Sequence, residues 1–441
     1  MTKLTIIGAG PGGYVAALRA ANLGLEVTLI EKEHLGGTCL NWGCIPTKTY
    51  YHTAKLVEQA KNTPELENSE KLKLDFPKLN RKQEEVVSQL VNGVKSLLKA
   101  AGVEVIKGTG TLTVDGVKVG GMLVPTDYTI IATGASPFLI FGLKPDGKRI
   151  FTAKEIWQLT DLPESMVILG GGVIGVEFAT IFSNLGTKVT IVEREKSILP
   201  QFAPQAVRQV AKKLKDKGVE ILTSTSVTGY DPEEVALLVD DQKITGEVLL
   251  VALGNKANTK GLGLLENGIT LNQRGEIIVD KNFETSKKGV YAIGDVTDST
   301  YKLAHAASHA GVFVAEKLAG LDPYYREELV PRTVFTSPEL AEVGVLEGKK
   351  SRFPFSANGR ALSSGETAGF IEAYGDEEKL NGVLIVGPEA CELSNLASYA
   401  LAVGSSKEEM AKAVMTHPTL GETVLEASLG LFGSAIHMIK R

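Results

Sequence analysis

The sequence predicts an α/β protein with two copies of one nucleotide-binding unit, followed by an α+β C-terminal part. Three observations carry this reading. A strand, a glycine loop, a helix, a second strand and an acid follow one another from Leu4 to Glu31. The same order returns from Met166 to Glu193. Beyond Pro331 the texture changes to short strands followed by helices.

In the first copy, Leu4 to Gly8 is an apolar strand that runs into Gly8-Ala9-Gly10-Pro11-Gly12-Gly13. A helix follows with Val15, Ala16, Leu18 and Leu23 at its apolar positions, then a strand from Glu26 to Ile30 that ends at Glu31. G-x-G-x-x-G alone is weak evidence, but with strand, helix and acid in order it is the full dinucleotide fingerprint. Glycine lets the backbone approach a pyrophosphate, the helix N-terminus favours that anion, and the carboxylate can bind ribose hydroxyls. The second copy has Gly170, Gly172 and Gly175 in the loop, a helix from Val176 to Leu185, a strand from Lys188 to Val192, and Glu193. Each copy is followed later by an apolar strand that ends in glycine, at Gly134 and at Gly254. Two Rossmann-like dinucleotide-binding domains imply two nucleotides.

The 441 residues suggest about three domains. With 43% apolar and 22% charged residues the chain reads as a soluble globular protein. A net charge of −5 without a long basic run argues against nucleic acid and anionic membranes as partners, and no apolar run spans a bilayer. The first strand is expected close to Met1, which leaves no room for a signal or transit peptide, so the expected location is the cytosol.

Three cysteines exclude a disulfide-rich scaffold. Two of them, Cys39 and Cys44, sit in Gly36-Gly37-Thr38-Cys39-Leu40-Asn41-Trp42-Gly43-Cys44-Ile45-Pro46-Thr47-Lys48. A disulfide across so short a loop gains roughly 2 kcal/mol of chain entropy, against about 4.7 for a hundred-residue loop. Such a pair is a poor staple and reads better as a dithiol that opens and closes, though Cys-x4-Cys alone also allows two reduced thiols. Pro46 suits the start of a helix over Thr47 to Lys55, whose N-terminus would favour a Cys44 thiolate.

Between the two copies, Asn62 to Asn80 reads as polar loop. Leu79 to Ala101 reads as an amphipathic helix with Val86, Leu90, Val94, Leu97 and Leu98 on its apolar face. Lys107 to Val124 reads as a meander with turns at Asp115-Gly116 and Gly120-Gly121. Domain boundaries are expected near residue 142 and near Asn255 to Gly263. A strand is expected over Thr285 to Asp295, where Asp295 could cap the following helix. Past Pro331, Val330 to Glu342, Glu366 to Ala373 and Asn381 to Val386 read as strands. Ala390 to Val403 and Lys407 to Val414 read as helices. Of six histidines, His417 stands out, with Glu422 five positions on to orient it; His417 precedes proline and is expected extended or cis-linked. His305 and His309 lack a third metal ligand, so no metal is expected. Cys391 reads as a buried small hydrophobe.

The run from Gly36 to Lys48 resembles the redox-active segment of the flavin-dependent disulfide reductases, the family of dihydrolipoamide dehydrogenase, glutathione reductase and mercuric reductase. The resemblance extends over essentially the whole chain. It is strongest to the dihydrolipoamide dehydrogenase branch, on Trp42 to Lys48, Leu303-Ala304-His305, the acid at Glu193, and His417-Pro418-Thr419-Leu420-Gly421-Glu422. Mercuric reductases normally end in a cysteine pair, where this sequence has His437 to Arg441.

The resemblance implies an FAD domain over 1–142, an NAD domain over 143–260, a central domain over 261–330 and a dimerisation domain over 331–441. It implies FAD held by Gly8, Gly10, Gly13, Glu31, Gly37, Thr38, Gly134, Gly294, Asp295, Ala304 and His305, and NAD held by Gly170, Gly172, Gly175, Glu193 and Gly254. It further implies a redox disulfide between Cys39 and Cys44, and Lys48 paired with Glu177 beside the flavin. In a homodimer, His417 and Glu422 would serve the partner's cysteines. The reaction implied is oxidation of dihydrolipoamide by NAD, with lipoyl groups of 2-oxo acid dehydrogenase or glycine cleavage complexes as partners. The alternatives are another NAD(P)H-dependent disulfide or mercuric reductase, or an NADH-consuming oxidase or peroxide reductase; the second cysteine argues against the last. Three departures stand out: Gly254-Asn255-Lys256-Ala257-Asn258 in place of Gly-Arg-x-Pro-Asn, a short segment between Val345 and Phe353, and Ala306-Ala307-Ser308-His309.

Overall fold

A computed structural model of the protein describes residues 1–439, and for Glu70 the backbone only. Lys440 and Arg441, part of the chain end contrasted above with a cysteine pair, lie outside the described residues.

The first sheet is wholly parallel, in the order Val290–Ala292, Tyr128–Ile131, Lys3–Ile7, Glu26–Glu31, Glu104–Lys107. Leu4, Ile6, Leu29 and Ile130 are fully buried in it, each stabilising by about 1.5–3 kcal/mol relative to exposure. Helix α1 (Pro11–Asn22) joins its first two strands. Then come the short α2 (Gly37–Asn41), the long α3 (Cys44–Lys61) and α4 (Phe76–Ala100). The expected meander is present as Gly110–Thr113, Gly116–Val119 and Met122–Val124, all antiparallel.

The second sheet repeats the plan. Glu220–Leu222, Lys188–Val192, Ser165–Leu169, Val248–Val251 and Ile150–Thr152 lie side by side and parallel. Helix α5 (Val173–Leu185) follows its glycine loop, and α6 (Pro204–Asp216) packs beyond it. The repeat holds in register as well as in order: Lys3 pairs with Glu26, and Ser165 with Lys188. The chain enters this unit through Ala135–Pro137 and leaves it through Asn255–Ala257, which pair antiparallel as a two-stranded link. The departure at Asn255 to Ala257 therefore falls in this link.

Helix α7 (Ala304–Leu318) returns to the first sheet and packs on α1. The contact is close enough that a Cβ on Gly311 would lie 2.5 Å from the Gly12 carbonyl oxygen. The C-terminal part is a five-stranded antiparallel sheet with α8 (Gly359–Ser364), α9 (Ala390–Ala402), α10 (Lys407–Lys412) and α11 (Gly421–Leu431).

Several expectations need correction. The run Val330 to Glu342 is two strands, Arg332–Val334 and Glu339–Gly344, which fold back on each other around a turn with a cis Ser337–Pro338 bond. Lys349–Pro354 is an edge strand that the sequence hid: only Ser351 and Phe353 point inward, so its alternation carries one apolar residue. The strand expected over Glu366 to Ala373 is Phe370–Gly375. Only Val290–Ala292 of Thr285 to Asp295 is strand. On α4, Leu90 and Leu97 are 39% and 56% exposed, and Gln83 is buried instead. The helix is anchored by Phe76 and Leu79 at one end and Val94 and Leu98 at the other, and its middle faces solvent.

A polar seam joins the second unit to the C-terminal sheet. Gln205 of α6 donates to Glu372 Oε2 at 3.0 Å, and Tyr374 Oη donates to the same oxygen at 2.6 Å. Arg352 donates to Oε1 from Nη2 and Nε at 2.7 and 2.9 Å. Burial raises the Glu372 pKa, but these donors outweigh it and hold it at about 2. A carboxyl with a depressed folded pKa stabilises fully above its unfolded value of about 4.5 and loses that contribution as pH falls toward the folded one. The gap in melting temperature between the protein and Glu372→Gln should therefore be constant above about pH 5 and narrow toward about pH 2. A gap unchanged at about pH 3 would count against the network.

Candidate active site at the junction of the glycine loops and Cys39-Cys44

Each glycine loop crosses the carboxyl end of its sheet. A Cβ on Gly13 would lie 1.9 Å from the Gly8 carbonyl oxygen, and one on Gly175 would lie 2.0 Å from that of Gly170. These positions admit only glycine because helix and strand touch through backbone. Gly10 and Gly172 differ: a Cβ there meets nothing within 4 Å. They line open space in front of α1 and α5, whose N-termini carry neither a side-chain cap nor an acid in the first turn. The acids close the loops. Glu31 Oε2 accepts the Ala9 N–H at 2.7 Å and Oε1 that of Glu33 at 2.7 Å. Glu193 Oε2 accepts the Gly171 N–H at 2.6 Å and Oε1 that of Glu195 at 2.7 Å. Each oxygen keeps a second acceptor site for a ribose hydroxyl.

The cysteine segment is laid directly on the first loop. The Gly36 N–H donates to the Ala9 carbonyl at 2.8 Å, and a Cβ on Gly37 would lie 2.6 Å from Gly10 Cα. Cys39 stands in α2, not in a loop as its glycine-rich surroundings suggest. Cys44 is the first residue of α3, and the two form a disulfide with Cα atoms 4.6 Å apart. The N–H groups of Trp42 and Gly43 both donate to the Thr38 carbonyl, at 2.9 and 2.7 Å, which folds the intervening turn back on α2. Cys44 sits at the uncapped N-terminus of an eighteen-residue helix, the end at which the helix dipole favours an anion.

One turn on from Cys44, the Lys48 ammonium donates to Glu177 Oε2 at 2.8 Å and Oε1 at 3.0 Å. Glu177, on α5, is buried. Sequence pattern gave no hint of the neighbours around this helix. Trp157 donates its indole N–H to the Trp42 carbonyl at 2.7 Å, and Lys154 lies 4.4 Å from the Trp42 ring centroid. Nothing in the spacing of Lys154 or Trp157 marks them.

Asp295 sits in a single 3-10 turn, Gly294–Val296, and does not cap α7, whose N-cap is Leu303 with no side-chain cap at all. Burial pushes the Asp295 carboxyl above its ordinary pKa, with the Lys302 charge opposing, and it receives no hydrogen bond from the described residues. His305 Nε2 meets the Pro331 carbonyl at 2.9 Å. Gly134 and Gly254 follow the strands that lie beside Lys3–Ile7 and Ser165–Leu169, and Cβ atoms there would meet nothing within 4 Å.

His417 and Glu422 are brought together, Nδ1 to Oε1 at 3.0 Å, with a cis bond between His417 and Pro418. Burial would raise the Glu422 carboxyl, but the Thr419 N–H and His417 hold it below its ordinary value. The His417 side chain is 78% exposed. Among the described residues no hydrogen bond or ion pair joins it to Cys39 or Cys44 of its own chain. Cys391 is buried on α9, as expected. Among the described residues no helix is long and apolar enough to cross a membrane.

Residues 2–311 match the family described as pyridine nucleotide-disulphide oxidoreductase, and residues 330–428 match its dimerisation domain. The chain belongs to this family. Among its relatives, a dihydrolipoyl dehydrogenase of Geobacillus stearothermophilus is 38% identical across all of this chain and 98% of its own. One from Haloferax volcanii is 36% identical with the same coverage. The crystal structure of LpdA from Mycobacterium tuberculosis superposes with a TM-score of 0.91 at 28% identity, covering 97% of this chain and 99% of that one. The HOCl-induced flavoprotein disulfide reductase RclA from Escherichia coli gives 0.84 at 28%, covering 96% and 98%.

The family is one of flavoprotein disulfide oxidoreductases that use FAD and NAD. Two dinucleotides fit what the site presents: open space at Gly10 and Gly172, uncapped N-termini at α1, α5 and α7, and a half-buried Asp295 carboxyl that takes no hydrogen bond from the described residues. The two glycine classes should separate in mutants. Gly10→Val should purify folded, with an unchanged apoprotein melting curve, but without flavin absorbance. Gly13→Ala should lower the melting temperature even of the apoprotein, because α1 must move off its strand. Equal melting losses in both would contradict the geometry.

Proposed function

We propose that the protein oxidises dihydrolipoyl groups with NAD, in a homodimer whose two active sites each draw on both chains. The observation that carries this is the Cys39-Cys44 disulfide, seated between a nucleotide loop and the start of α3, with an oriented His417–Glu422 pair exposed for another chain. Full-length likeness to dihydrolipoyl dehydrogenases and the match to a dimerisation domain support it.

In this reading, Glu422 holds Nδ1 of His417 and leaves Nε2 to take a proton from the incoming dithiol. The thiolate attacks Cys39 Sγ, the Cys39–Cys44 bond breaks, and Cys44 leaves as a thiolate favoured by the α3 N-terminus. The substrate's second sulfur, deprotonated in turn, displaces Cys39 and closes the product disulfide, leaving two electrons on the cysteine pair. FAD, when bound, supplies two-electron carriage between thiol and nicotinamide. Gly8, Gly10, Gly13, Glu31, Gly37, Thr38, Gly134, Gly294, Asp295, Ala304 and His305 would hold it; Gly170, Gly172, Gly175, Glu193 and Gly254 would hold NAD. Lys48, kept in place by Glu177, would set a cation beside the flavin. The domain limits 1–142, 143–260, 261–330 and 331–441 are assigned on the same reading, supported by the paired link strands at Ala135–Pro137 and Asn255–Ala257. Lipoyl-bearing 2-oxo acid dehydrogenase or glycine cleavage complexes are the partners proposed, in the cytoplasm.

His417→Gln should slow anaerobic flavin reduction by dihydrolipoamide by about 10²–10⁴-fold, the usual range for a general base, while reduction by NADH survives far better. Equal slowing of both half-reactions would point to a structural role instead. Mixing Cys44→Ser chains with His417→Gln chains under subunit exchange should restore activity, since one site of each mixed dimer keeps both native groups. No recovery after proven exchange would refute the shared site.

NAD should be preferred over NADP, because Glu193 would repel a 2′-phosphate. Arg194 beside it, 78% exposed and paired with Glu195 at 3.1 Å, is the group that would accommodate such a phosphate and so sets the strictness of the preference. Comparing kcat/KM for the two nucleotides tests this; parity would overturn it.

A further inference from the structure

Lys48 makes one contact that the assignments above do not use. Its ammonium lies 4.2 Å from the centroid of the Phe335 ring while it bonds both oxygens of Glu177. The Phe335 backbone N–H donates to Glu177 Oε1 at 3.0 Å. One residue of the C-terminal part thus touches both members of the pair, the ring on the cation and the amide on the anion. Phe335 is itself held. Its ring meets that of Tyr51 edge to face at 5.7 Å. The Tyr51 hydroxyl donates to the Thr336 carbonyl at 2.8 Å and contacts Glu339 Oε1 at 3.0 Å. Lys55, one turn further along α3, reaches Glu339 and Glu389. Lys48, Tyr51 and Lys55 therefore line one face of the helix that begins at Cys44, and that face is fixed to the segment carrying Phe335.

We propose that Phe335 is a positioning residue that fixes the Lys48 ammonium for the flavin–nicotinamide step; this rests on the reading of Lys48 given above. Glu177 alone draws the ammonium to one side and leaves a four-carbon stem free to pivot about that contact. The negative face of the Phe335 ring attracts the cation from a second direction and occupies space that water would otherwise fill. A second carboxylate there would also hold the lysine, but it would cancel the positive field the site needs. An aromatic ring holds the cation without adding net charge. The Phe335 amide, by fixing Glu177, keeps the first attraction aimed as well.

The experiment replaces Phe335 in the holoenzyme with Leu, with Tyr, and with mono-, di- and trifluorophenylalanine, which weaken the ring face with little change of shape. Flavin reduction by NADH and by dihydrolipoamide is followed separately, and the midpoint potential of the bound FAD is measured in each protein. The NADH half-reaction should fall in step with fluorination, reaching about fivefold in the trifluoro protein and in Phe335→Leu, a size ordinary for a cation–π contact. Phe335→Tyr should stay within about twofold of the parent. The potential should become more negative along the same series, and the dihydrolipoamide half-reaction should change less. A flat fluorine series, with loss only in Phe335→Leu, would reduce Phe335 to packing and overturn the proposal. Lys48→Met separates the two levels. If it slows the NADH half-reaction and the fluorine series is flat, this inference alone fails. If it leaves that half-reaction unchanged, the reading of Lys48 fails and the inference with it.

Discussion

Backbone lying directly on backbone governs this molecule. At Gly8, Gly13 and Gly37 no side chain separates the first strand, the following helix, the glycine loop and the cysteine segment. A Cβ at Gly37 would come within 2.6 Å of Gly10. The distance from nucleotide space to disulfide is therefore set by main-chain van der Waals contact, the stiffest spacer a protein has. Side chains then arrange themselves around that fixed core: Glu31 ties the loop shut, and the Gly36 amide ties the cysteine segment to the loop. The second unit repeats the glycine pattern, the loop-closing acid and even the tie across the loop, with the Leu199 N–H donating to the Gly171 carbonyl at 2.8 Å where Gly36 donates to Ala9, but the segment laid on it carries no cysteine.

The parts of the fold read correctly from sequence are those with dense local rules. Glycine spacing, the acid at the end of the second strand, and turn glycines in the meander each have one structural solution, so both repeats and the order of their elements could be read. The parts misread lack such rules. Lys349–Pro354 is a strand because Phe370–Gly375 offers it an edge, and its own residues barely say so. On α4, Leu90 in the middle and Leu97 beside the anchoring Leu98 face solvent, because spacing alone does not say how wide a stripe of the helix is covered. At the site, Cys39, Cys44, Lys48, Glu177, His417 and Glu422 were all visible through motif, and the two polar pairs form as hydrogen-bonded contacts. Phe335, Lys154 and Trp157 were not visible. Each acts across a domain junction, by contacts between residues more than a hundred positions apart in sequence, and no periodicity encodes that.

Helix α3 emerges as the member that links the three parts. It starts at the reactive thiol, pairs through Lys48 with the second unit, and meets the C-terminal part through Tyr51 and Lys55. Glu58, near its far end, bonds Lys217 at 2.5 Å, accepts from Asn184 at 3.0 Å and from Ser337 at 3.2 Å, so both other parts reach it again. A helix bonded along its length to its neighbours is poorly able to shift when the disulfide opens. Redox change is then confined to the two sulfur atoms and the short turn between them.

That turn is also where the two indoles of the chain come together, Trp42 within it and Trp157 against it from the second unit. The protein has two tryptophans, and they meet at one point, the Trp157 ring bonded to the Trp42 carbonyl two residues before Cys44. Tryptophan emission, excited apart from that of the 11 tyrosines, consequently comes from one junction. It reports no average over the fold, only the local environment of one junction between the cysteine turn and the second unit. The molecule thus carries its own optical probe of the place where thiol chemistry and nucleotide binding adjoin, with no label added.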